Sequence, residues 1–164
     1  MRFFDTNVFV YSIDPSDPQK LRTSRRWLRE AMQEETMVLS TQVLLEFFDV
    51  AVRKALVEPT RAMELLRAWA SQHVVVPGVQ AVLRAAELQQ QHRLRIWDAL
   101  IVAAALESGC TELVTEDLQH GMRIGDLQIV NPFVPDSLAK GSAVHEQAPA
   151  YATPAKRSRA RRSR

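Results

Sequence analysis

Short apolar runs alternate with longer segments of helical periodicity along most of this chain. Phe3-Phe4 is the first run and ends at Asp5. Met37-Val38-Leu39, Val74-Val75-Val76, Leu113-Val114-Thr115 and Leu127-Gln128-Ile129-Val130 are of the same kind. Each is rich in β-branched or large apolar side chains, the mark of a buried strand. Between them the apolar positions recur with a helical period. Pro18 to Glu34 carries Leu21, Trp27, Leu28 and Met32, with Asp17 as its N-cap. Thr41 to Leu56 follows the second run, and Thr60 to Gln72 places Met63, Leu65, Leu66 and Trp69. Val79 to His92 places Val82, Leu83, Ala86 and Leu88, and Trp97 to Ser108 stops at Gly109. Strands alternating with helices predict an α/β fold with a central, largely parallel sheet.

The pattern fails near Lys140. From there "KGSAVHEQAPAYATPAKRSRARRSR" has no apolar period and reads as a disordered tail. It holds Lys140, Lys156, Arg157, Arg159, Arg161, Arg162 and Arg164 against Glu146, a net +6, which leaves −4 for the body of a chain whose total is +2. The basic balance is therefore a property of residues 140–164, whose arginines suit phosphate contact. Residues 1–139 form the expected folded domain. A hydrophobic fraction of 46% with 24% charged residues is that of a soluble globular protein. No apolar run reaches the ~18 residues a membrane span needs, and no secretory signal stands at the N-terminus. Cys110 is the single cysteine, so an internal disulfide and Cys/His zinc spacing are absent. A cytoplasmic setting is expected.

Acids recur at the ends of these elements. Asp5 sits among Phe3, Phe4, Val8, Phe9 and Val10, where an unpaired carboxylate costs several kcal/mol. Ligands of open α/β sheets bind beyond the carboxyl ends of the strands, and Asp5 ends the first one. Glu46 lies in "TQVLLEFFDVAVRK" between leucines and phenylalanines, at an angle that need not share the core face. Asp98 opens "WDALIVAAAL", a helix apolar almost all round and so expected to be buried, in the first turn where the helix dipole favours negative charge. Asp117 follows the fourth strand in "LVTEDLQHG", beside Glu116. Taken singly, Asp5 and Asp98 could be helix caps, and Glu46 and Asp117 solvated acids. Together they predict carboxylates converging on one sheet edge. Clustered acids repel and raise one another's pKa, and a hard divalent cation relieves that. Mg²⁺ or Mn²⁺ fits the oxygen donors, and without a His/Cys cluster zinc fits them less well.

The runs "FFDTNVFVY", "STQVLLEFF", "IWDALIVAAALESGC" and "LVTEDLQHG", followed by "IVNPF", resemble the PIN-domain ribonucleases, and among them the VapC-type toxins of bacterial toxin–antitoxin pairs. The resemblance spans about Arg2 to Phe133. It implies a three-layer α/β/α sandwich and a Mg²⁺- or Mn²⁺-dependent endoribonuclease that cuts RNA. It implies Asp5, Glu46, Asp98 and Asp117 as catalytic and metal-binding acids, with Thr6, Asn7 and Thr115 as polar supports. It further implies a homodimer held inactive by a small cognate antitoxin. Trp27 and Trp69 are helix positions that a partner or the core could cover. The basic tail, with Lys156, Arg157, Arg159, Arg161, Arg162 and Arg164 as RNA contacts, lies outside the family pattern.

Other chemistries fit less well. A haloacid dehalogenase-like phosphatase wants a second aspartate two residues after the first, where this chain has Asn7. A phosphoaspartate receiver wants paired acids before the strand-end aspartate and a late lysine, and both are missing. The five glycines form no phosphate-cradling loop. A nucleic-acid-binding module anchored by the tail has no need of a four-acid pocket. His120, a conceivable general base, has no serine, cysteine or zinc partner beside it. Cys110 reads as a small buried hydrophobe.

Overall fold

Phe3 and Phe4 have no exposure, and they begin a sheet whose core strands are buried on both faces. The structure is a computed structural model that describes residues 1–135. The tail, with its six candidate RNA-contacting residues, lies outside the described residues. The elements run β1 (Arg2–Phe4), α1 (Thr6–Tyr11), α2 (Pro18–Gln33), β2 (Met37–Ser40), α3 (Thr41–Arg53) and α4 (Pro59–Ala70). They continue with β3 (His73–Val75), α5 (Val79–His92), α6 (Ile96–Glu107), β4 (Glu112–Val114), β5 (Arg123–Ile124) and β6 (Leu127–Val130). The six strands form one sheet in the order β3-β2-β1-β4-β6-β5. All pairings are parallel except β5 with β6. The α/β reading therefore holds, with β5 as an antiparallel edge that the apolar pattern does not announce.

Caps fix where several helices begin and end. The Asp17 side chain accepts from the Gln19 and Lys20 N–H groups and starts α2, with Pro18 in the first turn. Ser40 does the same for α3 through Val43 N–H. At the end of α6, Gly109 takes φ +66° while Cys110 N–H donates to Ala105 O at 3.0 Å. The α3 helix stops sooner than the apolar pattern suggests because Ala55 adopts φ 50° and Leu56 N–H closes back on Ala51 O. A terminal carbonyl is satisfied this way without glycine.

Crossover direction sets the layers. The steps β1→β2→β3 move one way and carry α1 to α4. The step β3→β4 returns across β1 and carries α5 and α6. Parallel crossovers are right-handed, so the two helix sets cover opposite faces. Their packing agrees. Phe9 of α1 meets Phe47 of α3 edge-on at 6.4 Å and Trp69 of α4 at 5.1 Å. Trp27 is buried and Trp69 half-buried against Phe9, so both tryptophans pack against the core. Cys110 is buried as expected, and desolvation pushes its thiol up to about 11.

Chains leave β1 and β4 in opposite directions although the two strands are neighbours. That pair is the switch point where an open α/β sheet leaves a crevice at its carboxyl edge. Asp5 follows β1 there, and Thr115, Glu116 and Asp117 follow β4.

Candidate active site

At this crevice lies a cavity of about 810 Å³ that Asp5, Glu46, Asp98 and Asp117 all line. Thr6, Asn7, Tyr11, Arg95, Trp97 and Glu116 share its wall.

Asp5 is the buried member of the set, at 6% exposure. It caps α1 and lines the cavity at once, so the two readings of this residue describe one arrangement. Its Oδ1 accepts from Thr6 N–H at 2.6 Å. Its Oδ2 accepts from the Thr115 hydroxyl at 2.7 Å and from the Asn7 amide at 3.1 Å. Burial is the largest influence and pushes the carboxyl up to about 7. The Thr115 and Thr6 hydrogen bonds oppose that shift, and the charges of Asp117 and Glu46 reinforce it.

Asn7 Nδ2 also donates to Thr115 Oγ1 at 3.0 Å and to Asp117 Oδ2 at 3.2 Å. Asp117 N–H donates back to Thr115 Oγ1 at 3.1 Å. Thr6 Oγ1 donates to Glu46 Oε2 at 2.8 Å, tying α3 to the start of α1. The three residues read as supports thus touch the acids directly. Glu46 itself is solvent-facing on α3, while Phe47 beside it is in the core.

Asp98 stands in the first turn of α6 with a side chain 14% exposed. Its carboxylate takes two bonds from Arg95, Nε to Oδ2 at 2.8 Å and Nη2 to Oδ1 at 3.2 Å. Arg95 Nη2 is also 4.0 Å from Asp117 Oδ2. The sequence reading did not single out Arg95. Its only local signal is the three-residue spacing to Asp98 from the N-cap position of α6.

Glu116 and Asp117 take different roles. Glu116 pairs with Lys20 and accepts from the Tyr11 hydroxyl, and Lys20 lies over the Tyr11 ring at 4.2 Å. Asp117 joins the Asp5–Asn7–Thr115 network instead. His120 Nδ1 accepts from Asn131 N–H at 3.0 Å and is a structural residue of the loop. Trp97 departs from expectation. Most of α6 is buried, from Ile101 to Ala105, but Trp97 is 66% exposed at the cavity mouth.

Among the described residues no three acidic, cysteine or histidine side chains close on a common point at ligand distance. Hydroxyl, amide and guanidinium groups stand between the carboxylates. The donor set nonetheless fits a hard divalent cation. It is made of carboxylate oxygens, it is open to water on the side of Glu46 and Asp117, and its one buried acid carries a raised pKa that a cation would relieve.

The PIN domain family model matches residues 2–121. The chain is a PIN-domain protein. A toxin–antitoxin complex from Klebsiella pneumoniae is similar in fold, with a TM-score of 0.62 at 19% identity over 81% of this chain and 98% of that one. Mycobacterium tuberculosis VapC20, described as a toxin that cleaves the sarcin–ricin loop, gives 0.56 at 18% identity over 69% and 87%. VapBC2 from Rickettsia felis, bound to a DNA fragment from its promoter, gives 0.55 at 22% identity over 78% and 96%. No curated protein matches the chain by sequence. The matched stretch includes Asp5, Glu46, Asp98 and Asp117.

Proposed function

We propose that this PIN-domain protein is a Mg²⁺- or Mn²⁺-dependent endoribonuclease, and the toxin of a toxin–antitoxin pair. The observation that carries the reading is the burial of Asp5 at the β1/β4 switch point, on one cavity with Glu46, Asp98 and Asp117. A buried carboxyl facing two further acids is costly, and metal binding gives that cost a use.

Asp5, Asp98, Glu46 and Asp117 would hold the cation. A bound Mg²⁺ or Mn²⁺ supplies Lewis acidity toward water and screens the charge of a phosphodiester. The chain's own residues set the rest. Thr115 and Thr6 N–H fix the Asp5 rotamer, and Asn7 holds Asp117 toward it. Glu46, held by Thr6, faces solvent and is the acid best sited to accept a proton from an attacking water. Arg95, which bonds Asp98 and lies 4.0 Å from Asp117, carries guanidinium donors that would suit a phosphate oxygen at this cavity.

The toxin reading draws on the structural neighbours, two of which are toxin–antitoxin complexes. On this reading the chain forms a homodimer in the cytoplasm and is neutralised by a small cognate antitoxin that presents a basic side chain to the acids. The direct test is incubation of purified protein with total RNA, with Mg²⁺ or with chelator, followed by mapping of the new ends. Discrete cleavage that requires the metal supports the reading. Intact RNA under both conditions sinks it.

A further inference from the structure

Trp97 is the anomaly of α6. The helix buries Ala99 and the run from Ile101 to Ala105, yet its one aromatic residue leaves most of its surface in solvent. It does so at the mouth of the acidic cavity. Leu45, on the α3 side of the same cavity, is 72% exposed. The mouth also carries two exposed cations, Lys54 and Arg95, the latter bonded to Asp98. An open indole beside positive charge, next to an acidic interior, matches the two demands of a single-stranded nucleic acid. Its bases need a flat apolar surface and its phosphates need cations.

We propose that Trp97 is the stacking platform for an unpaired RNA base next to the scissile phosphate, with Arg95 and Lys54 taking the adjoining phosphates. The proposal rests on the endoribonuclease reading and assigns to Trp97 the contact by which the site holds an unpaired base. A base locked inside a duplex has no free face to lay on the indole, so paired RNA loses this contact. Stacking accepts any base, so Trp97 selects strandedness and leaves sequence to other contacts.

The test uses the full chain carrying Asp5→Asn, so that RNA is bound and not consumed. Trp27 and Trp69 are largely covered, so acrylamide quenching of tryptophan emission reports mainly on Trp97. A short single-stranded RNA should shield the emission, and a blunt duplex of the same sequence should not. Trp97→Ala should weaken single-strand binding about tenfold, with Trp97→Phe in between. In the chain with Asp5 intact, Trp97→Ala should raise KM and leave kcat within about twofold. Circular dichroism and melting of the Trp97 variants check the fold, which a mostly exposed side chain should barely affect. Equal RNA binding by Trp97→Ala and the parent overturns the proposal, as does equal shielding by the duplex. If Trp97→Ala binds RNA normally but no longer holds a co-expressed protein partner, the surface belongs to that partner and the proposal fails. Failure of the nuclease reading is separate: it appears as an Asp5-intact chain that does not cut RNA, whatever Trp97 binds.

Discussion

The Thr115 hydroxyl donates to Asp5 Oδ2 at 2.7 Å and so joins the end of β4 to the end of β1. The two residues are 110 positions apart, yet this bond fixes the one buried acid of the cavity. The same oxygen of Thr115 accepts from Asp117 N–H and the Asn7 amide, so one hydroxyl organises three of the polar residues.

Thr115→Val keeps the shape and removes that hub. It removes one of the two donors to Asp5 Oδ2 and the acceptor of Asp117 N–H, which should cost about 1–3 kcal/mol of stability. Urea unfolding at pH 7 measures it. The Asp5 carboxyl should also rise further above 7, because its strongest lowering contact is gone. A neutral result would mean that water replaces the hydroxyl.

Much of this site is legible in the sequence because strand ends and first helical turns are local features. Asp5 follows Phe3-Phe4, and Asp98 opens an apolar helix, so both could be placed without coordinates. Asp117 could not be told from Glu116, since adjacent residues differ only in direction. What separates them is Lys20, 96 positions from Glu116, which pairs with one acid and not the other. The role of Arg95 was hidden for the same reason, since its reach to Asp117 spans two elements. Helix α1 has 6 residues and β5 has 2, too few for a period to show. Trp97 departs from the pattern because an apolar helix reads as buried throughout, whereas Ile96 and Trp97 in its first turn are exposed.

Asp5 also gives the metal-free protein a pH dependence. Its carboxyl titrates near 7 in the folded chain and near 3.8 when unfolded, so the native state holds the extra proton between those values. Its contribution to stability is complete below about 4 and is lost as pH rises through 7. Asp5→Asn cannot ionise and should be more stable than the parent at pH 8, by about 1–2 kcal/mol after allowing for the amide's poorer fit to the Thr115 and Asn7 donors. The difference should vanish or reverse near pH 4. Melting temperatures at the two pH values check the sign.

Divalent metal should act in the opposite sense at neutral pH. A cation that binds only the folded chain stabilises it by mass action, about 2.7 kcal/mol at a hundredfold excess over Kd, or roughly 5–10 °C in Tm. Asp98→Asn should remove most of the shift seen with Mg²⁺ or Mn²⁺. An unchanged Tm at saturating metal would contradict a cation site at these acids.

The two neighbouring acids should separate experimentally. Glu116→Gln breaks the Lys20 and Tyr11 contacts and should lower Tm while leaving RNA cleavage within about threefold. Asp117→Asn should lower cleavage tenfold or more with little change in Tm. The reverse pattern would assign the fourth acid to Glu116.

The central claim is that the cavity at the β1/β4 edge is a metal-dependent nuclease site built around Asp5. One measurement tests it most directly: the rate of cleavage of a single RNA at saturating Mg²⁺ by the parent and by Asp5→Asn, both verified as folded. The account predicts cleavage by the parent, none with chelator, and a loss of about a hundred- to a thousandfold in Asp5→Asn, what removal of one electrostatic catalytic contact costs. Cleavage by Asp5→Asn at the parent's rate would contradict it.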